Sequence, residues 1–250
     1  MLKKRIWICA VLLAASVVAW GKSFGNESLD YHIVYHWGLI WKHAASATLE
    51  IKEKGANYEA KLCARTLSWV DNIYKVRDTL YATIERERFV PLKYVKATHE
   101  KGYDAFDVVE FSYKGNTTTG KCTRVRPGKE DSKKILTTEG KAYDMLSVFY
   151  LLRSLDMQKL KAEKTYKTTV FSGKHKEALV IKYVGVERIE LRDDNRHFAH
   201  HVKFTFTQDG KKKSSDDIDA WISANDSAIP LMLRGKLPIG EVRVFYSAGR

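Results

Sequence analysis

Three cysteines and four prolines are a thin supply for a chain of 250 residues. So few cysteines exclude a small fold stapled by several disulfides. Cys9 lies in an apolar N-terminal run, without the small residues that normally precede a lipidated cysteine, and only Cys63 and Cys122 lie beyond that run, each in a strand-like segment. An oxidising compartment would let those two pair, whereas two buried free thiols are the commoner outcome. The sequence announces no nucleophile elbow, no S-x-x-K, no G-x-x-x-x-G-K-S/T phosphate loop and no G-x-G-x-x-G dinucleotide turn. H-E-x-x-H and C-x-x-C are missing as well, so neither a metal nor another cofactor is expected. Past the N-terminal run, no stretch reaches the roughly 20 apolar residues that a membrane-spanning helix needs.

What is present begins at that N-terminus. Met1-Leu2-Lys3-Lys4-Arg5 precedes an apolar run from Ile6 to about Trp20, followed by polar Gly21-Lys22-Ser23. This is the order of regions in a signal peptide, with small residues at Ala19 and Gly21 and cleavage expected after Gly21. Residues 1–21 would then be removed, and residues 22–250 would form one mainly-β domain of two similar halves that meet near residues 127–143. Loss of Lys3, Lys4 and Arg5 would lower the formal charge from +13 to +10. An exported basic protein is drawn to acidic lipid headgroups or glycans, and export removes it from most nucleic acid. The lysines are scattered, however, and the one dense cluster, Lys211-Lys212-Lys213, follows Asp209-Gly210 like the tip of a hairpin.

Two-residue periodicity dominates the remainder. Ala45, Ala47, Leu49 and Ile51 alternate with Ser46, Thr48, Glu50 and Lys52, which predicts a strand with one face buried. Lys54-Gly55-Ala56-Asn57 turns the chain, and Tyr58–Thr66 returns. Further strands are predicted near Leu80–Arg86, Phe89–His99, Tyr103–Tyr113 and Thr117–Val125. Others follow near Tyr166–Phe171, Ala178–Val184, Phe198–Thr207, Ile218–Ser223, Ile229–Arg234 and Glu241–Tyr246. One segment departs from the rule: from Asp144 to Leu160 the apolar residues fall at helical spacing over more than one face, with Asp144 as N-cap. A helix this apolar must be covered. The predicted fold is therefore all-β with one central helix: a strongly curved antiparallel meander, half-barrel or β-roll packed on that helix. Pro127–Lys134 is the most loop-like stretch, and Phe89-Val90-Pro91-Leu92 is echoed by Ala228-Ile229-Pro230-Leu231, each with proline opening a strand.

Chemistry is harder to find. His32 and His36 share a strand face but stand roughly 13 Å apart, too far to hold one ion, while His197, His200 and His201 read as exposed residues beside a turn. The acid pairs Glu85 with Glu87 and Asp217 with Asp219 each fit one strand face, which is the basis for an alternative reading as a hydrolase of envelope glycans. Aromatics crowd the first half, several at period-two spacing beside basic residues. Tyr35, Trp37, Trp69, Tyr74, Arg77 and Tyr103 are the candidate ligand-binding residues, because aromatic faces grip a sugar or an acyl chain and a cation steadies an anionic group. No catalytic residue is assigned.

Several strings together resemble a known family. They are Trp37-Gly38-Leu39-Ile40 after an opening strand, Tyr74-Lys75-Val76-Arg77-Asp78, the Glu100-Lys101-Gly102-Tyr103 turn, Leu146 to Arg153 in the helix, and Asn225 to Pro230. Their order is similar to that of the bacterial exported family known as domain of unknown function 3108. The resemblance implies a Gram-negative periplasmic protein and carries no activity. A weaker similarity, around Pro91 and Pro230, links the chain to half-barrel carriers of lipids and lipoproteins. The expectation is a periplasmic, non-catalytic binding or scaffolding protein, peripheral to the membrane at most. Its partner would be an amphiphilic lipid, a glycan or an envelope protein, not nucleic acid.

Overall fold

The computed structural model describes residues 23–192, 195–208, 212–213, 217–237 and 240–249. The N-terminal segment read as a leader, and the Asp209-Gly210 turn with Lys211, lie outside the described residues. Strands β1 (Glu27–Trp37), β2 (Ile40–Lys54) and β3 (Asn57–Thr66) are followed by a short helix, α1 (Ser68–Tyr74). Next come β4 (Arg77–Glu85), β5 (Val90–Glu100), β6 (Tyr103–Lys114), β7 (Thr117–Val125), β8 (Ser132–Glu139) and β9 (Ala142–Tyr143). Helices α2 (Ser147–Ser154) and α3 (Met157–Glu163) interrupt the strands. The chain then forms β10 (Thr165–Ser172), β11 (His175–Glu190), β12 (Arg196–Gln208), β13 (Lys212–Lys213), β14 (Ile218–Ser223), β15 (Pro230–Lys236) and β16 (Glu241–Gly249).

All the strands belong to one sheet, running from β8 back through β1, across to β16, and on to β10 and β9. Every pairing is antiparallel except that of β9 with β10. The expected curved antiparallel sheet around a helix is what forms, and it curls until its two edges nearly meet. There Phe111 of β6 stacks on Phe171 of β10 at 5.7 Å, and the hydroxyls of Thr138 and Thr169 lie 3.2 Å apart. At that seam Gly120 leaves room for the Phe171 ring, since a Cβ would come within 2.6 Å of it.

The alternation seen in the sequence sets the two faces. Leu49, Ile51, Tyr58, Ala60, Ala82, Ile84, Tyr94 and Val109 point inward onto one side of α2, and Leu179, Ile181, Val202, Phe204, Ala220 and Ile222 point inward onto the other. Helix α2 is the plug they share. Leu146 and Tyr150 pack toward the first wall, and Val148, Leu151 and Leu152 toward the second. Asp144 caps the turn leading into α2, two residues ahead of the helix's own N-cap position at Leu146: its Oδ1 accepts from the backbone N–H groups of Leu146 and Ser147, both at 2.8 Å.

The structure differs from the sequence reading in four places. The single helix predicted from Asp144 to Leu160 is broken at Leu155, because Asp156 caps a new helix by accepting from Gln158 and Lys159. Residues 132–134, read as loop, begin β8, and α1 was not anticipated at all. The β11–β12 hairpin is far longer than predicted and, past a bulge at Tyr183/Gly185, covers the outer face, where Ile189 and Leu191 pack with Val34, Trp221, Leu231 and Phe245. The proline echo is structural: Phe89 and Ala228 both take positive φ, 52° and 45°. Pro91 then pairs with Ile84 and Pro230 with Ile222, each beside a register shift.

Candidate binding cleft at one end of the barrel

Because the strands alternate in direction, their connections sort to two ends. One end is shut. Phe24, Tyr58, Phe89 and Tyr150 meet there at 5.2 to 6.5 Å, edge to face except for the tilted Phe24–Phe89 pair. Beside them the guanidinium of Arg153, only 2 % exposed, grips Glu27 at 2.5 and 2.9 Å and donates to the carbonyls of Ser227 and Ala228. Its positive face lies 4.9 Å from the Phe24 ring centroid.

The other end is open. Between α2 and the inner wall of β1 to β3, β15 and β16 lies a cleft of about 150 Å³, lined by Tyr31, Ile33, Ala47, Leu49, Leu62, Ala64, Phe149, Pro230, Leu233 and Val244. Its lining is wholly apolar, and the space exists because alanines at 47 and 64 stand where larger residues would close onto Phe149. On the other side of the helix entry, a charged bay of about 380 Å³ is lined by Tyr94, Lys96, Asp107, Arg124, Met145, Gly173, Glu177 and Phe206, among others. Arg124 holds Asp107 in a two-pronged pair at 2.5 and 2.9 Å, and Lys96 lies 3.6 Å from Asp78. The register links the two spaces: Leu80 stands opposite Leu62 on one side and Lys96 on the other. The bay's edge is therefore two strands, about 10 Å, from the cleft wall.

All six residues proposed from the sequence come to this open end, but on its rim. Trp37 ends β1, 55 % exposed. Half-buried Tyr35 lies in β1 opposite Lys42 and Val242. Trp69 of α1 donates its indole N–H to the His43 carbonyl at 2.8 Å, with the Lys42 ammonium 3.9 Å above its ring. Tyr74 closes α1 and donates to Glu100 at 2.5 Å, and Tyr103 opens β6, exposed. Arg77 is already committed: it binds both oxygens of Asp71 at 3.0 and 2.5 Å, and with Thr66 it holds that carboxyl at a pKa of about 2. The inward alanines and leucines of the cleft were not singled out, since such a residue in a strand reads as core until closure leaves nothing packed on it.

The remaining sequence candidates lie elsewhere. Glu85 pairs with Arg88 at the shut end, and Glu87 is in the turn beyond it. Asp219 faces outward and binds Arg234 at 2.9 Å and His201 at 2.8 Å. Burial would raise its pKa, but those hydrogen bonds bring it below the usual value. His201 is not exposed beside a turn but buried in β12, stacked on Trp221, with its other nitrogen 2.7 Å from Glu187. Neither acid pair lines the cleft or the bay. Among the described residues, no group of three or more His, Cys, Asp or Glu side chains is placed to hold a metal. Gly21-Lys22-Ser23-Phe24-Gly25 does have nucleophile-elbow spacing, yet Ser23 lies on exposed coil and donates to Glu53 at 2.9 Å. Gly115 to Lys121 has the glycine and lysine spacing of a phosphate loop but ends in Cys122 and forms the β6–β7 hairpin. Cys63 and Cys122 are both free thiols.

The family model for proteins of unknown function DUF3108 matches residues 30–246, from β1 through β16. The chain belongs to the DUF3108 family. No curated protein matches this DUF3108 chain. Among solved structures, it is similar to a β-barrel-like protein of the domain of unknown function DUF1849 from Brucella abortus. The two share 9 % identity with a TM-score of 0.61, over 90 % of this chain and 97 % of that one. At that identity the likeness is one of fold, and it agrees with the nearly closed sheet described above.

Proposed function

We propose that this DUF3108 protein is exported to the periplasm and there binds an amphiphile without catalysis, taking the apolar tail into the cleft beneath Phe149 and the polar head toward the bay. The observation that carries this reading is the wholly apolar lining of the cleft at the one end of the barrel that is not plugged, beside a bay lined by Lys96, Asp107 and Arg124. An apolar cleft open to water is costly unless something apolar fills it. Each methylene buried there contributes roughly 0.8 kcal/mol, so a chain of about five would contribute roughly 4 kcal/mol. The balance of charge in the bay, with Arg124 on Asp107 and Lys96 near Asp78, suits a head that both donates and accepts hydrogen bonds.

Native mass spectrometry of the protein recovered from its own host tests this. The expected result is an added mass that solvent extraction identifies as a lipid or another acylated molecule. A bare polypeptide mass, together with failure to take up any acyl probe, would overturn the proposal.

A further inference from the structure

Contiguous exposed apolar patches mark interaction surfaces, and here most of the large exposed apolar side chains collect at the open end. The β1–β2 hairpin presents Trp37, Leu39, Ile40 and Trp41, with Leu39 99 % exposed at its tip. The β15–β16 turn adds Leu237 directly beside it, for a Cβ on Gly240 would stand 3.4 Å from the Trp37 side chain. On the far side, α1 contributes Ile73 and Tyr74, joined to the hairpin through Lys42 over Trp69. These are separate loops making one rim.

Beside those apolar tips, lysines are the charged groups left without an ion pair, although Asp104 and, on the β7–β8 turn of the same end, Glu130 and Asp131 are exposed acids. Asp71 is taken by Arg77, Glu241 by Arg243 and His36, and Glu100 accepts from Tyr74. Lys42, Lys75, Lys101 and Lys236 have no carboxylate within ion-pairing distance among the described residues. Tryptophan, leucine and isoleucine at loop tips, ringed by unpaired lysines, complement the boundary between acyl chains and anionic headgroups.

We propose that the rim docks the open end onto an anionic bilayer surface, so that the cleft mouth faces the acyl region. This rests on the amphiphile reading for its purpose, but not for its test. The protein is purified as its host makes it, with Cys9 and Cys63 replaced by serine, and an environment-sensitive nitrobenzoxadiazole dye is placed at Leu39→Cys. A control carries the dye at Asn116→Cys, in a turn of the shut end. Vesicles are phosphatidylcholine alone or phosphatidylcholine with phosphatidylglycerol. The expected result is a blue shift of the Leu39 dye on anionic vesicles with none at Asn116, and apparent affinity about fivefold weaker for each of Lys42→Gln and Lys75→Gln. Trp37→Ser/Trp41→Ser should weaken it at least tenfold.

An unshifted Leu39 dye, a shift equal at both sites, or a shift that the rim variants leave intact would overturn the proposal. So would a Leu39 shift that grows with protein concentration in the absence of vesicles, which would assign the rim to a second copy of the chain. Acyl-probe binding in solution is measured on the same variants. Its retention alongside lost docking separates the failure of this proposal from failure of the cleft reading.

Discussion

Replacing Asp144 with asparagine should stabilise the protein at neutral pH and change little in acid. Asp144 is completely buried, and burial pushes its carboxyl up from 3.8 to about 6, even though the backbone N–H groups of Ser147 and Leu146 pull the other way. Its second oxygen, Oδ2, has no hydrogen-bond partner. A carboxyl whose pKa is higher in the folded state binds more protons folded than unfolded between about pH 4 and 6, so stability falls as pH rises through that window and levels off above it. A displacement from 3.8 to about 6 corresponds to a cost of about 3 kcal/mol at pH 7.5. The Asp144→Asn side chain would keep the acceptor for the two N–H groups and drop the charge. Urea unfolding followed by tryptophan fluorescence from pH 4.5 to 7.5 measures the outcome. The variant should be more stable than wild type by about 2 to 3 kcal/mol at pH 7.5, with the two curves converging toward pH 4.5. A variant less stable at every pH, with parallel curves, would refute the reasoning, because the charge on the cap would then contribute more than its burial costs.

Arg153→Met strands Glu27 and two carbonyls at the shut end, and should cost about 3–5 kcal/mol, a fall in Tm of roughly 10 °C by calorimetry. Gly120→Ala forces a methyl group to within 2.6 Å of Phe171 at the seam, and urea titration should show a loss of about 1–3 kcal/mol. The Cys122 thiol, pushed up to about 11 by burial, should resist iodoacetamide at pH 8 in the folded protein while Cys63 reacts, as read by peptide mass spectrometry.

The walls of this barrel were legible in the sequence because a half-buried strand writes its two faces into alternate residues, as Ala45 to Lys52 does. What escaped were features set by distant contacts or by very short elements. Ser132 to Leu136 carries two lysines and no clean alternation, and becomes a strand because β7 supplies its ladder. Ser68–Tyr74 is too short to show a helical period, and is held by Trp69 on His43 and Arg77 on Asp71. The rim aromatics were visible as a crowd, since polar neighbours set them off. The cleft was not, because Ala47, Leu62 and Ala64 follow the same alternation as Ile51 and Ala60, which are fully packed. Only the closure of β15 and β16 against β1, nearly two hundred residues later in the chain, decides which inward side chains find a partner.

The central claim, that the apolar cleft is the binding site, is tested most directly by filling it. Ala64→Phe places a ring in the space beside Phe149 and Leu62. Titration with a fluorescent fatty acid should show saturable binding to wild type, at least tenfold weaker binding to Ala64→Phe, and unchanged binding to a rim variant such as Leu39→Ser. Equal binding by wild type and Ala64→Phe, with the variant still folded by circular dichroism, would contradict the account.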